Sequence, residues 1–246
     1  MNREHPGFRD YLTRHYARLG DQAKYRAGKK RQLLLTYAHV LPAARDAAML
    51  EIGPGYGQLL EALRVDRGYA RLTAVDLSRE VVDFCNGVAP GSTTYAEDTG
   101  AWLRAQADRF ERIFALHVFE HVPPAAIEAL LADVRGALAP GGMLVVELPN
   151  MANVFTGNYL RWADRTHECG YTEHSLRQLL EACGFTDVRC FEERIPAAGP
   201  KGVVANLFRA GARALQWAIY KGYELPVPAV LTPALCATAV RPAGTP

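Results

Sequence analysis

A glycine-rich turn after residue 52 constrains the fold of this chain more than any other feature. The sequence M-L-E-I-G-P-G-Y-G-Q over residues 49–58 predicts a short apolar strand, Met49–Ile52, that breaks into a turn and enters a helix over 59–63. Glycines allow a sharp turn and bring backbone N–H groups close to a ligand without an intervening Cβ. The helix start presents further unpaired donors. This arrangement is typical of the first strand of a sheet that binds an adenosine-containing cofactor.

The spacing of the glycines separates two classes of cofactor site. A dinucleotide fingerprint is G-x-G-x-x-G, and its third glycine lets the helix pack against the strand. Counted from Gly53 and Gly55, that place is taken by Gln58. The pattern is instead E-x-G-x-G-x-G, with Glu51 in the strand and Gly57 as the third glycine. A nicotinamide-dependent oxidoreductase is therefore a disfavoured alternative.

The bulk composition excludes several classes of protein. With 246 residues, 49% of them hydrophobic and 22% charged, the chain is long and apolar enough for one α/β domain with additions. A net charge of +2 gives no case for a nucleic-acid partner. Five cysteines without C-x-x-C spacing favour a reducing compartment. Residues 1–20 do not resemble a signal peptide, and no apolar run reaches the ~18 residues of a membrane span. We therefore expect a cytoplasmic protein.

Strand and helix patterns alternate from residue 49 to residue 240, which indicates βαβ units and a mainly parallel sheet. Helices are predicted to open at Ser78, to run over 123–138 before the P-G-G of 140–142, and to run over 175–182. The predicted strands are 49–52, 71–76, 93–96, 110–116, 143–148, 186–193 and 234–240.

Two helical regions lie outside this alternation. Residues 1–45 are predicted to form an N-terminal helical cap, with helix over 8–41, in front of a main domain at 46–246. The basic stretch 24–31 is interpreted as a solvated helix face, with anion binding as the alternative. A helical insert at about 197–233 contains an amphipathic helix over 201–221. That helix either packs on the sheet edge, contacts a second subunit of a homodimer, covers an acceptor or touches a membrane surface.

Polar residues follow the predicted strands where an open α/β sheet binds its ligands. Asp76 ends the second strand, 19 residues after Gly57. A carboxylate at this distance accepts hydrogen bonds from both ribose hydroxyls, although a helix-capping role is the alternative. His117, Glu120 and His121 follow the fourth strand. Their H-x-x-E-H spacing suggests metal ligands, but no third ligand is evident nearby, so we predict no metal.

Several of these segments together resemble the class I S-adenosylmethionine (SAM) methyltransferases. The glycine turn, Asp76, the run F-E-H-V and the segment L-A-P-G-G-M-L-V-V-E occur in the family's order over residues 45–195. The resemblance implies a Rossmann-like, doubly wound, seven-stranded sheet with an antiparallel last strand, and SAM as the cofactor. The cofactor residues it implies are Glu51, Gly53, Gly55, Gly57, Asp76, Leu77, Asp98 (for adenine) and His117. An inactive SAM-binding module is disfavoured because the glycines and both strand-end carboxylates are intact.

Residues 150–172 resemble a methyltransferase branch with the segment D-x-T-H-x-x-x-(Y/F)-T, many of whose members occur with bacterial polysaccharide pathways. The resemblance implies methylation of a hydroxyl on a sugar or glycoconjugate. A small-molecule O- or N-methyltransferase of secondary metabolism is the alternative. The candidate base is His167, then His121, with Asp164 beside them. Arg161 and Arg165 are candidates for binding an anionic group, and Tyr159 and Trp162 for packing either on an acceptor ring or in the core.

Overall fold

The computed structural model describes residues 12–13, 22–197 and 199–244, and its centre is one seven-stranded sheet. The strands are β1 (Met49–Ile52), β2 (Leu72–Asp76), β3 (Thr93–Tyr95), β4 (Phe110–Leu116), β5 (Leu138–Pro149), β6 (Thr186–Glu192) and β7 (Ala234–Val240). Their order is β3-β2-β1-β4-β5-β7-β6, and β7 runs antiparallel to both of its neighbours. The other adjacent pairs are parallel. The predicted Rossmann-like sheet with its antiparallel last strand is confirmed.

The helices cover both faces of this sheet. They are α1 (Gln22–Tyr37), α2 (Gln58–Leu60, continued by a π-helical turn Glu61–Val65), α3 (Arg79–Val88), α4 (Thr99–Arg104), α5 (Ile127–Ala137), α6 (Gly157–Ala163), α7 (Glu173–Ala182) and α8 (Gly199–Gly222). A short 3-10 turn, Phe119–His121, follows β4. The helix predicted over 8–41 is described from Gln22 onward and at 12–13, and the rest of its N-terminal part lies outside the described residues.

The boundary between α5 and β5 differs from the prediction. The helix ends at Ala137, and β5 begins at Leu138, before the P-G-G sequence that was expected to separate them. Leu138 already pairs with Phe110, and the register then shifts before the next pair, Arg112 with Met143. A Cβ on Gly142 would lie 2.8 Å from the carbonyl oxygen of Ala139. The glycines therefore build a bulge inside the strand and do not form a loop in front of it.

The core lies on both faces of the sheet, as a mainly parallel sheet requires. Successive residues of β4 point to opposite sides, so Ile113 and Ala115 join one apolar cluster while Phe114 joins the other. In β5, Leu144 and Val146 face the first cluster and Val145 faces the second. With both faces covered, the exposed end of the sheet where the strands terminate is left for a ligand.

Helix α8 lies against the body through its polar side. Gln216 is 2% exposed; its Oε1 accepts from the backbone N–H of Val154, and its Nε2 donates to the carbonyl of Leu231. Leu207 and Phe208, on the apolar side of this helix, are 69% and 76% exposed. Packing of the apolar face on the sheet edge is therefore wrong. Within the described ranges, no helix combines the length and the apolar character needed to cross a membrane.

Candidate active site

A cavity of about 710 Å³ opens at the carboxyl ends of β1, β2 and β4. Ligand cavities commonly measure about 300–1,000 Å³. Eight of the predicted site residues line it: Glu51, Gly53, Gly55, Asp76, Leu77, Asp98, His117 and His121. The other three, Gly57, Asp164 and His167, do not line it. Seven of the eight predicted cofactor residues and one candidate base, His121, therefore share one cavity.

The glycine turn forms one wall of the cavity. Gly53, Gly55 and Gly57 have φ angles of 65°, 51° and 62°, in the left-handed region that side chains disfavour. A Cβ at Gly53 would lie 2.9 Å from a methyl carbon of Val118. The wall can thus approach a bound ligand closely with its backbone N–H groups.

Glu51 lies buried beneath this turn with an incomplete set of hydrogen bonds. Its side chain is 3% exposed, and its Oε2 atom has no hydrogen-bond partner among the described residues. Burial, together with the neighbouring Asp76, raises its pKa well above the usual value. An unsatisfied buried oxygen is costly, and a ligand with a donor group would relieve that cost. The glycine turn and this oxygen together fit an adenosine-type cofactor.

Asp76 ends β2 at the cavity wall, where the prediction put it. Its Oδ1 accepts a hydrogen bond of 2.7 Å from the backbone N–H of Ser78. Burial raises its pKa to about 7, and backbone hydrogen bonds oppose that rise. Asp98 also reaches the cavity, but its Oδ1 accepts from the backbone N–H of Ala101 and so caps α4. Leu77 also lines the cavity.

The N-terminal helix is tied to the site through its basic residues. Arg26 donates to the carbonyl of Tyr56 within the glycine turn at 2.7 Å. The ammonium group of Lys29 lies 3.1 Å from a carboxylate oxygen of Glu147, which is 2% exposed. The interpretation of this stretch as a solvated face is therefore wrong for these two residues. No periodic signal in the sequence marks Lys29 as a cavity residue, because its partner lies in β5.

His117 bridges two buried carboxylates at the floor of the cavity. Its Nδ1 is 3.0 Å from Glu120 and its Nε2 is 3.0 Å from Glu147. Loss of hydration opposes the charged form, but the two carboxylates raise its pKa to about 10. His117 is therefore positively charged at neutral pH. Its φ of 55° is rare for a non-glycine residue, and the paired hydrogen bonds hold it there.

His121 is oriented by a short hydrogen-bonded chain. Thr166 donates its hydroxyl proton to Asp164 at 2.7 Å, so the same oxygen accepts from Nδ1 of His121 at 2.9 Å. This network assigns the proton to Nδ1 and a lone pair to Nε2. Burial lowers the pKa of His121, Glu120 opposes that shift and His167 adds to it. A neutral histidine with a basic Nε2 thus lines the cavity.

His167, the first predicted base, packs against His121 and does not line the cavity. The two ring centroids are 4.7 Å apart in an edge-on arrangement. The Nδ1 of His167 lies 3.2 Å from the carbonyl oxygen of Arg161, which assigns its proton to Nδ1 as well. The sequence did not identify Thr166 as the link between Asp164 and His121, although Asp164, Thr166 and His167 all lie in the D-x-T-H segment.

None of the other residues expected to bind an acceptor lines the cavity: Tyr159, Arg161, Trp162 and Arg165. The guanidinium group of Arg161 donates to the carbonyls of His167 and Glu168, so it holds the loop and is not directed at an anionic ligand. Tyr159 and Trp162 are 72% and 70% exposed and do not line the cavity, so neither core packing nor ring stacking in this cavity describes them.

Comparison with known proteins identifies methyltransferases as the relatives of this chain. A family model described as "Methyltransferase domain" matches residues 19–189, which is more than half of the chain. A trans-aconitate 2-methyltransferase from Paracidovorax citrulli (strain AAC00-1) is 26% identical over 110 residues, covering 45% of this chain and 42% of that enzyme. The match thus spans less than half the length of that curated relative.

Solved structures show the same fold. A SAM-dependent methyltransferase from Archaeoglobus fulgidus has a TM-score of 0.65 at 20% identity, covering 94% of this chain and 99% of that one. Phosphoethanolamine N-methyltransferase 2 from Haemonchus contortus, in complex with S-adenosyl-L-methionine, has a TM-score of 0.58 at 16% identity, covering 97% and 61%. At such identities the likeness is one of fold.

Proposed function

This chain belongs to the class I SAM-dependent methyltransferase family, and we propose that it methylates a hydroxyl oxygen of a sugar or glycoconjugate. The observation that carries the proposal is His121. Its basic Nε2 belongs to a neutral ring that lines the same cavity as the glycine turn and Asp76. A hydroxyl needs to lose its proton during methylation, and a neutral histidine is suited to accept it.

The cofactor end of the cavity fits SAM, which supplies an electrophilic methyl group when bound. Asp76 would accept the ribose hydroxyls, and the backbone of the turn at Gly53 and Gly55 would approach the amino-acid portion. The buried Oε2 of Glu51 would receive a donor that the protein itself does not provide. Asp98 remains the candidate for the adenine amino group, since it lines the cavity next to α4.

At the acceptor end, His121 takes the hydroxyl proton on Nε2 while the Asp164–Thr166 pair fixes its ring. General-base catalysis of this kind contributes about 10²–10⁴-fold to the rate. The cavity adds orientation, which contributes more, because the attacking oxygen needs to lie in line with the transferred carbon. Lys29, Thr166 and Glu168 line the cavity as well, and such a set of donors and acceptors suits a polyhydroxylated molecule.

A carboxylate acceptor is the second candidate. Cationic groups, among them Lys29 and the protonated His117, reach the cavity. The trans-aconitate 2-methyltransferase it resembles is named for a small carboxylic acid. A carboxylate has no proton to remove, so a carboxylate acceptor gives the basic Nε2 of His121 no role in catalysis.

Methyl-labelled SAM offered with sugar nucleotides, polysaccharide fractions and small organic acids tests the proposal. Labelled methyl ethers survive mild base, whereas methyl esters release labelled methanol, so one treatment separates the two candidates. We expect base-stable label, and a kcat reduced about 10²–10⁴-fold in His121→Gln with an unchanged Kd for SAM. His39→Gln is the matched control, because His39 packs on Phe191 away from the cavity. Base-labile label, or full turnover by His121→Gln, would contradict the proposal.

A further inference from the structure

We propose that Glu120, His121 and His167 bind a divalent transition-metal cation beside the cavity, which His121 lines. One candidate ligand atom from each residue lies within 4.8 Å of the other two. Ligand bonds to such metals measure about 2.0–2.2 Å, so ligand atoms of one metal lie roughly 3–3.5 Å apart. Small side-chain rotations therefore bring the three atoms onto one ion.

The backbone holds these residues together although 46 positions separate His121 from His167. The carbonyl oxygen of Glu120 accepts from the N–H groups of Glu168 and Cys169, at 2.7 and 3.1 Å. The loop that carries His167 is thus joined directly to the 3-10 turn that carries the other two ligands. This contact supplies the third ligand that the local sequence lacks.

Both histidines have the protonation pattern of metal ligands. The Nδ1 proton of His121 is directed at Thr166, and that of His167 at the carbonyl of Arg161. Metal-bound histidines generally donate their second ring N–H to such an acceptor, which fixes the ring and leaves the other nitrogen to bind the ion. Here that nitrogen is Nε2 in both residues.

Glu120 provides an independent indication of a ligand. Its side chain is 2% exposed, and Oε1 is paired with His117 at 3.0 Å. Its Oε2 is buried and has no hydrogen-bond partner in the described part of the chain. A buried carboxylate oxygen without a partner is strongly disfavoured. A cation would satisfy it, and Glu147 already offsets the positive charge of His117 on the other side.

Two imidazole nitrogens and one carboxylate oxygen suit ions such as Zn²⁺, Co²⁺, Mn²⁺ or Fe²⁺. Three protein ligands leave coordination positions open for oxygens of the acceptor. The role of the ion rests on the proposed function. With the ion bound, Nε2 of His121 is a ligand and cannot act as the base, so the ion would take over that role for the proposed hydroxyl acceptor by lowering the pKa of the hydroxyl, whose proton leaves to water. The oxygen then forms the bond to the methyl carbon as the carbon–sulfur bond breaks, with its electron pair going to sulfur.

Cobalt and zinc titrations of the EDTA-treated, full-length protein test the site without any acceptor. We expect one equivalent of Co²⁺ to produce visible d–d absorption, and Zn²⁺ to displace it. Glu120→Gln and His167→Ala should weaken binding at least 10-fold. His174→Ala, which removes an exposed histidine at the start of α7, should leave it unchanged. SAM binding by every variant shows that the fold survives.

Equal cation binding by Glu120→Gln, His167→Ala and the parent protein would overturn this proposal, as would the absence of binding at millimolar Co²⁺ and Zn²⁺. Methyl transfer to a hydroxyl by EDTA-treated protein that binds no cation would overturn it while leaving the proposed function intact. Cation binding at the three residues without transfer to any hydroxyl would support the site and remove the proposed function.

Discussion

Ionisation of Asp76 and binding of the cofactor are linked at the level of this single residue. Its carboxyl has a pKa of about 7 in the folded protein against 3.8 ordinarily, because burial disfavours the charge. The folded state therefore holds this proton more tightly than the unfolded state does. The resulting stability is fully present below about pH 4 and is lost as the pH rises through 7. Ribose hydroxyls, in contrast, require the ionised form as their acceptor.

We therefore expect SAM to bind more weakly as the pH falls below 7. Between pH 8 and pH 6 the ionised fraction of a group with this pKa falls roughly tenfold, and the Kd for SAM should rise by about the same factor. Titration calorimetry across this range measures the effect. Asp76→Asn should bind SAM weakly at every pH and lose the pH dependence. The same slope in Asp76→Asn and in the parent would assign the dependence to another group.

The sequence indicates which residues line the cavity where they end a strand, but not where a distant contact places them there. Glu51 and Asp76 follow from apolar runs, because the carboxyl ends of parallel strands meet at one edge. Lys29 reaches the cavity through a contact with Glu147 in β5, 118 positions away. His167 reaches His121 through a loop whose position depends on backbone hydrogen bonds to Glu120. Neither contact leaves a periodic trace in the sequence.

Among the helices, α8 shows that an amphipathic pattern leaves the orientation of a helix open. Its apolar stripe was identified correctly from the sequence, but hydrophobic periodicity does not say which face meets the protein. Gln216 and Tyr220 make the polar contacts, the latter by donating its hydroxyl to the carbonyl of Ala152 at 2.8 Å. Strand bounds were predicted within one or two residues except at β5, where the glycine bulge was taken for a loop.

Substitutions on the two sides of α8 should therefore change the free energy of unfolding by different amounts. Gln216→Ala removes the partner of a backbone N–H and of a carbonyl, and it should lower the free energy of unfolding by about 1–3 kcal/mol. Phe208→Ala alters a side chain that is 76% exposed and should change it by no more than about 0.5 kcal/mol. Urea denaturation of both variants beside the parent measures this. A greater loss in Phe208→Ala than in Gln216→Ala would contradict the orientation of α8.

At the scale of the whole molecule, the last strand occupies an internal position in the sheet. The chain places β7 between β5 and β6, and it pairs with both over most of its length. Leu235, Cys236, Ala237 and Ala239 are fully buried. The alternation of elements predicted a last strand, and the resemblance to the family implied that it is antiparallel, but its position between two earlier strands was not predicted. Without β7, β6 has no neighbour, and β5 exposes an open edge.

Deletion of residues 234–246 should consequently abolish the cooperative fold, whereas deletion of 242–246 should preserve it, since β7 and the bond from Arg241 N–H to the carbonyl of Gly142 remain. In the shorter deletion and in the parent, SAM at 100 times its Kd should add about 2.7 kcal/mol of stability and raise the melting temperature by roughly 5–10 °C. The longer deletion should show neither a cooperative transition nor a shift with SAM. A longer deletion that melts cooperatively and responds to SAM like the parent would contradict this prediction. The strands that bind the cofactor would then fold independently of β7.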